Sequence, residues 1–227
     1  LKPLILCIET ATKVCSVGIY RGEEEVVLKE EHSEQYIHSE KLAIFIDECI
    51  KEANIEPRNL SAVAVSSGPG SYTGLRIGTS TAKGFCFGID APLIAIETLD
   101  SLASVALSSF SEYDYYLPMI DARRLEVFTS VYTSKGIKIK NTFAEVVESS
   151  SFSELLGSKV LCFGDGAEKC LDVLSKLSPS FEDIHCSARN MAKLALEKYH
   201  AKEFVDLAYF EPFYLKDFIA GKPKKLL

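Results

Sequence analysis

No apolar run in this 227-residue sequence reaches membrane-spanning length, and its start lacks a basic region followed by a signal-like apolar core. The expectation is a cytoplasmic protein with no membrane contact. Positive charge is scarce as well. Lys and Arg number 25 against 32 Asp and Glu, for a formal charge of −7 and a pI of about 5.2. Such a balance argues against a self-sufficient nucleic-acid binder, whose affinity comes from neutralising phosphates. The only basic cluster, Lys222, Lys224 and Lys225, reads as a solvated end.

Ligand patterns are missing too. The seven cysteines (Cys7, Cys15, Cys49, Cys86, Cys162, Cys170 and Cys186) form no Cys-x-x-Cys pair. They read as small core residues in a reducing compartment. The histidines at 32, 38, 185 and 200 show no His-x-x-x-His spacing, which argues against structural zinc. The sequence assigns no metal ligand and no catalytic residue. What is present is ordinary for a globular chain: 47% hydrophobic and 25% charged residues, enough length for one large domain or two small ones.

The most informative stretch is Ser66-Ser-Gly-Pro-Gly-Ser-Tyr-Thr-Gly-Leu-Arg-Ile-Gly78. A buried-strand run over 60–65 ends in a Gly-Pro-Gly turn, and a helix opens behind it. The spacing fails the dinucleotide fingerprint, because Thr73 stands where a third glycine belongs. It also fails the P-loop, because Leu75 follows Gly74. Free amides at the helix start could still hold an anion. Gly74, Gly78 and Ala82 recur every fourth residue and share one helical face, which lets another backbone approach closely. Packing inside the domain and packing against another subunit both fit that pattern.

Taken in order, the first half reads as strands over 4–10, 14–20 and 26–31 joined by short turns, an antiparallel meander. A helix follows from Ser39, a candidate cap, with Leu42, Phe45, Ile46, Cys49, Ile50 and Ala53 on one stripe, and Asn54 and Pro57 end it. Strand 60–66, a helix over 73–87, strand 93–96 and a helix near 101–108 come next. The pattern then restarts: strands over 117–121, 126–132 and 137–143, a short helix near 151–156, strand 160–163, and a helix opened by Gly164-Asp165-Gly166-Ala167 and running to about Leu177. Ser187 caps a last helix, 188–200, and the segment from Phe210 looks extended. The expectation is α/β, with lobes over 1–110 and 111–227 and a C-terminal tail free to cross back. Each lobe would be a mixed sheet with a three-strand antiparallel meander and flanking helices.

This duplicated order resembles the actin, sugar-kinase and heat-shock-chaperone superfamily, whose two ribonuclease-H-like lobes flank a nucleotide cleft. Three turns stand where that superfamily places its phosphate and adenosine loops: Glu9-Thr10-Ala11-Thr12, Asp121-Ala-Arg-Arg124 and Gly164-Asp-Gly-Ala167. The resemblance implies Glu9, Thr10, Thr12, Asp121, Gly164 and Gly166 as nucleotide or phosphate contacts, with turn capping the other reading of Asp121. Glu9 replaces the more usual aspartate, which speaks against independent ATP hydrolysis.

Within the superfamily, the run 67–78, His38-Ser39-Glu40, Asp121–Arg124 and Pro212-Phe-Tyr-Leu-Lys216 resemble the TsaB family, accessory subunits of tRNA threonylcarbamoyladenosine synthesis. That resemblance implies a TsaD-like catalytic subunit and a TsaE-like ATPase as partners, a homodimer when the chain is alone, and tRNA met only through the complex. It also implies no tightly bound cofactor, with ATP or ADP at the subunit junction. The helix pair 39–53 and 73–87 would dock the partner, through Leu42, Phe45, Ile46, Cys49, Gly70, Tyr72, Thr73, Gly74, Arg76, Ile77, Gly78 and Ala82. Where the catalytic relative carries two histidine ligands, this chain has Thr98 and Leu102. The alternative is a stand-alone ATP-dependent phosphotransferase using Glu9 and Asp121.

Overall fold

A computed structural model describes residues 2–35 and 37–216; the Lys222, Lys224 and Lys225 cluster lies outside the described residues. Strand β1 (Leu4–Glu9) is buried at every position. A strand without a solvent face needs a neighbour on each edge and a layer on each side. Its edges pair with β2 (Val14–Arg21), antiparallel, and β4 (Ala62–Gly68), parallel. With β3 (Glu24–His32) and β5 (Leu93–Glu97) the first sheet runs β3-β2-β1-β4-β5. Its meander is the one the sequence predicts.

Helices α1 (His38–Glu52) and α2 (Tyr72–Ile89) cover one face, where Leu42, Phe45, Ile46, Cys49, Ala82 and Cys86 meet Leu6, Ile8, Val17, Val63 and Val65. Each such large side chain removed from water contributes roughly 1.5–3 kcal/mol. The second sheet repeats the plan: β6 (Tyr115–Asp121), β7 (Glu126–Thr133), β8 (Lys138–Val146), β9 (Val160–Phe163) and β10 (Ser180–Glu182), in the order β10-β9-β6-β7-β8. Two helices lie between the sheets. Helix α3 (Thr98–Ser109) packs Leu99, Leu102, Ala103 and Ala106 against the second, while α4 (Ala188–Ala201) packs Ala188, Met191, Ala192 and Ala195 against the first. The chain thus crosses back to its first sheet after completing the second. Lys138 joins the halves, its Nζ 2.9 Å from Glu97 Oε2 and 2.6 Å from Asp100 Oδ1, with Tyr132 donating to Asp100 at 2.5 Å.

Some local expectations are corrected. Helix α1 starts at His38 behind Ile37, with no side-chain cap, so Ser39 sits inside it. Gly164–Ala167 opens no α-helix. Ala167, Cys170, Leu174 and Leu177 do face the core at helical spacing, but the amides of Ala167, Cys170, Leu171 and Leu177 bond three residues back, as in 3-10 turns. A stripe spaced three and four apart does not separate the two geometries. The helix near 151–156 is likewise one 3-10 turn, Ser153–Leu155. Strand β10 was not anticipated; Asn54, at φ +52, ends α1 as expected.

The glycines of α2 face two ways. A β-carbon on Gly74 would run into the Thr10 carbonyl, one on Gly78 into Thr10 Oγ1, and one on Gly70 into the Ala11 carbonyl. A β-carbon on Gly84 or Gly88 of the same helix would meet no described residue within 4 Å. Gly78→Ala is therefore expected to lower stability by about 1–3 kcal/mol through overpacking. Gly84→Ala should raise it by about 0.5–1 kcal/mol through helix propensity alone. Urea unfolding of the two variants measures the contrast, and matching midpoints would contradict this packing.

Candidate functional site

Between the lobes lies a cleft of about 350 Å³, lined by Thr12, Lys13, His32, Asp165, His185 and Cys186 among others. It forms where the β1–β2 turn meets the segment leading into α4. That segment is anchored from below: Ala188 N–H donates to Ser16 Oγ at 2.9 Å, and Ser187 Oγ accepts from Arg189 N–H at 3.1 Å. His32 and His185 meet edge to face across the mouth, centroids 5.0 Å apart. Each imidazole has a carboxylate beside it, Glu30 at 3.2 Å and Asp183 at 3.0 Å. Cys186 is nearly enclosed. Burial pushes its thiol well up, and the charges of Glu9 and Asp165 add to that, so it is no nucleophile here.

The six expected nucleotide contacts divide. Thr12 reaches the cleft wall. Glu9 and Thr10 are fully buried beneath it. Glu9 Oε1 accepts from Ala11 N–H at 2.7 Å, and its Oε2 has no hydrogen-bond partner. Burial pushes this carboxyl up to about 7, against the pull of hydrogen bonds from Ala11 and Ser66. Thr10 N–H donates to Ser66 Oγ at 3.2 Å. Asp121 Oδ1 accepts from Arg123 N–H at 2.8 Å and pairs with Lys169, the turn-capping role. Gly164 and Gly166 are no open cradle. A β-carbon on the first would strike the Met119 carbonyl, and one on the second would sit 2.8 Å from Asp121 N. Of the six, Thr12 alone lines the cleft, together with Asp165, whose Oδ1 accepts from Asp121 N–H at 3.0 Å.

The expected docking residues divide as well between the core and the surface. Leu42, Phe45, Ile46, Cys49 and Ala82 belong to the chain's own core, and Gly74 and Gly78 are filled by Thr10. A side chain inside a packed core offers nothing to a second molecule. His38 Nε2 lies against the same turn, donating to the Thr12 carbonyl at 2.8 Å, and burial holds its pKa down. Gly70 and Ile77 remain half-buried, while Thr73 and Arg76 reach solvent. Tyr72 stacks on Tyr214 at 4.8 Å and carries the Arg76 guanidinium at 4.3 Å.

Thr73 and Ile77, expected for docking, share their outward flank of α2 with Gly84, Gly88 and Phe87 (82% exposed), which the sequence reading did not name for docking, nor did it name Ile44, 50% exposed on α1. The signal of that flank was a second small-residue row, offset from the first. Among the described residues, no group of three or more His, Cys, Asp or Glu is arranged to hold a metal ion.

Comparison with protein-family models matches residues 30–222 to the family described as TsaD: tRNA N6-adenosine threonylcarbamoyltransferase. The tRNA threonylcarbamoyladenosine biosynthesis protein TsaB of Haemophilus influenzae is 26% identical over 96% of this chain and 95% of its own length. Bacillus subtilis TsaB is 32% identical over 58% of this chain and 56% of its own. Among solved structures, YeaZ from Pseudomonas aeruginosa superposes with a TM-score of 0.78 at 21% identity, covering 94% of this chain and all of that one, a likeness of fold.

The Glu9 carboxyl sets a pH dependence. Its pKa is raised on folding, so the folded state holds the extra proton between about 4.5 and 7 and loses stability as pH rises through that window. The decline is on the order of 3 kcal/mol. Glu9→Gln is expected to flatten it. Urea unfolding at pH 5 and pH 8 checks this, and equal pH slopes for variant and parent would refute it.

Proposed function

The chain belongs to the family described as TsaD, tRNA N6-adenosine threonylcarbamoyltransferase, and from that premise we propose that it serves as a non-catalytic accessory subunit. It takes part in tRNA threonylcarbamoyladenosine biosynthesis, the process its TsaB relatives are named for. Its partner would be a TsaD-like catalytic subunit, with a TsaE-like ATPase as third component. ATP or ADP would sit at the subunit junction rather than in this chain's cleft. A net charge of −7 supports tRNA being met only through the complex. A cytoplasmic location goes with that role.

One observation carries this reading: α2 presents an outward flank in which a β-carbon on Gly84 or Gly88 would meet no described residue within 4 Å, with Phe87 exposed on the same helix and Ile44 exposed on α1. A glycine in mid-helix such as Gly84 costs roughly 1 kcal/mol, and no described residue uses the space that Gly84 and Gly88 leave. A sister helix would use it, because a side-chain-free stripe permits close backbone approach. The same flank would self-associate when the partner is absent, as a two-fold contact of one patch with itself. A supporting role also fits Thr98 and Leu102. Both are fully buried on α3, where the resemblance to the catalytic relative would put metal ligands.

Gly84→Arg and Ile44→Asp change only exposed positions. Each is expected to lower affinity for the TsaD-like subunit at least tenfold without lowering the melting temperature, the affinity read by size-exclusion chromatography of the mixture. Modification of tRNA by the catalytic subunit, TsaE-like ATPase and ATP should stop when this chain is omitted. Full complex with both variants, or ATP turnover by this chain alone, would overturn the proposal.

A further inference from the structure

The other flank of α2 bears a groove. Residues 204–216 return over the first lobe and are tied down along their length. Val205 N–H donates to the Leu93 carbonyl at 2.9 Å, and Phe213 N–H to the Ser67 carbonyl at 2.7 Å. Gly68, at φ +106, permits that second contact, since a β-carbon there would lie 2.6 Å from the Phe213 carbonyl. Between this strap and α2 remains an open space of about 380 Å³, with Arg76, Thr79, Ser80, Lys83, Glu211 and Tyr214 in its wall.

Arg76, Ser80 and Lys83 stand one and two turns apart and so share a helical face. Their donors are held in place without being used up. Lys83 Nζ donates to the Ala208 and Phe210 carbonyls, both at 3.1 Å, leaving a third N–H. The Arg76 guanidinium lies 4.3 Å over the Tyr72 ring and bonds Tyr214, and a guanidinium has five N–H donors in all. Ser80, exposed between the two cations, adds a hydroxyl. Thr79 closes the floor, its Oγ1 shut off from water without a hydrogen-bond partner. Against two cations the wall carries one carboxylate, Glu211, so this pocket is locally positive on a chain of net charge −7. Fixed donors bind an anion with less ordering cost than mobile surface lysines.

We propose that this groove is a binding site for a small oxyanion, a phosphate or carboxylate group, seated between Arg76, Ser80 and Lys83. Phosphate and carboxylate share the chemistry: oxygens that accept from a guanidinium fork, an ammonium and a hydroxyl together. The site lies on the strap side of α2, away from the Gly84–Gly88 flank, and stands whether or not that flank docks a subunit.

The test uses the full chain, isotopically labelled, titrated separately with inorganic phosphate and with acetate at constant ionic strength set by chloride. The expected result is saturable movement of the Ser80 and Lys83 amide signals with one or both, and none with added chloride. The arm that saturates at lower concentration names the class. Arg76→Gln, which removes the charge and the guanidinium fork, should weaken binding at least tenfold. Ser80→Ala should weaken it several-fold with the strap signals unmoved. Arg189→Gln, at an exposed arginine paired with Glu25 elsewhere, should not change it. Absence of saturation with both anions, or equal binding by parent and Arg76→Gln, would overturn the assignment.

Discussion

The turn after β1 and the start of α2 sit so close that no β-carbon fits between them. The Thr10 carbonyl and hydroxyl occupy the places where side chains at Gly74 and Gly78 would begin, and the Ala11 carbonyl does the same at Gly70. Ser71 N–H bonds that Ala11 carbonyl at 2.6 Å, so the approach is a hydrogen-bonded seam as well as a steric one. Three glycines are what this seam requires, because any larger residue would push α2 off the sheet. The seam fixes α2 over β1 and β4, and with it the direction in which the helix presents its outer flanks.

That geometry assigns separate work to the sides of one helix. The buried side closes the first lobe. One outer flank lies bare beside α1, with small residues and an exposed phenylalanine. The other is roofed by the returning C-terminal segment and keeps two cations and a hydroxyl in fixed positions. Surface chemistry is thus gathered around α2, whereas the interlobe cleft is narrow, with Cys186 and His185 crossing it and a buried, easily protonated Glu9 below. An interlobe ion-pair cluster at Lys138, together with α3 and α4 between the sheets, holds the two halves as one body.

Much of this was legible in the chain. The two meanders, the stripe of α1 and the extent of α4 follow from apolar spacing, which reports a local period whatever the rest of the fold does. The helix expected after Gly164 failed for a related reason: its apolar spacing was right, but it is shared by α-helix and by a run of turns whose hydrogen bonds vary between three and four residues back. Thr10, Thr12, Gly164 and Gly166 do lie in turns, with Glu9 and Asp121 ending the strands before their own turns, yet a turn's sequence does not say whether its glycines face a ligand or a neighbouring strand. Gly164 and Gly166 face β6.

The sequence by itself determined the order and type of nearly all elements and the family to which the chain belongs, because side-chain periodicity and a long motif are local properties. Only the tertiary structure decided which side of α2 is inside. A glycine announces that a side chain is absent, and carries no mark of what fills the space. Thr10 fills it at Gly74 and Gly78, no described residue fills it at Gly84 and Gly88, and the difference lies in atoms far away along the chain.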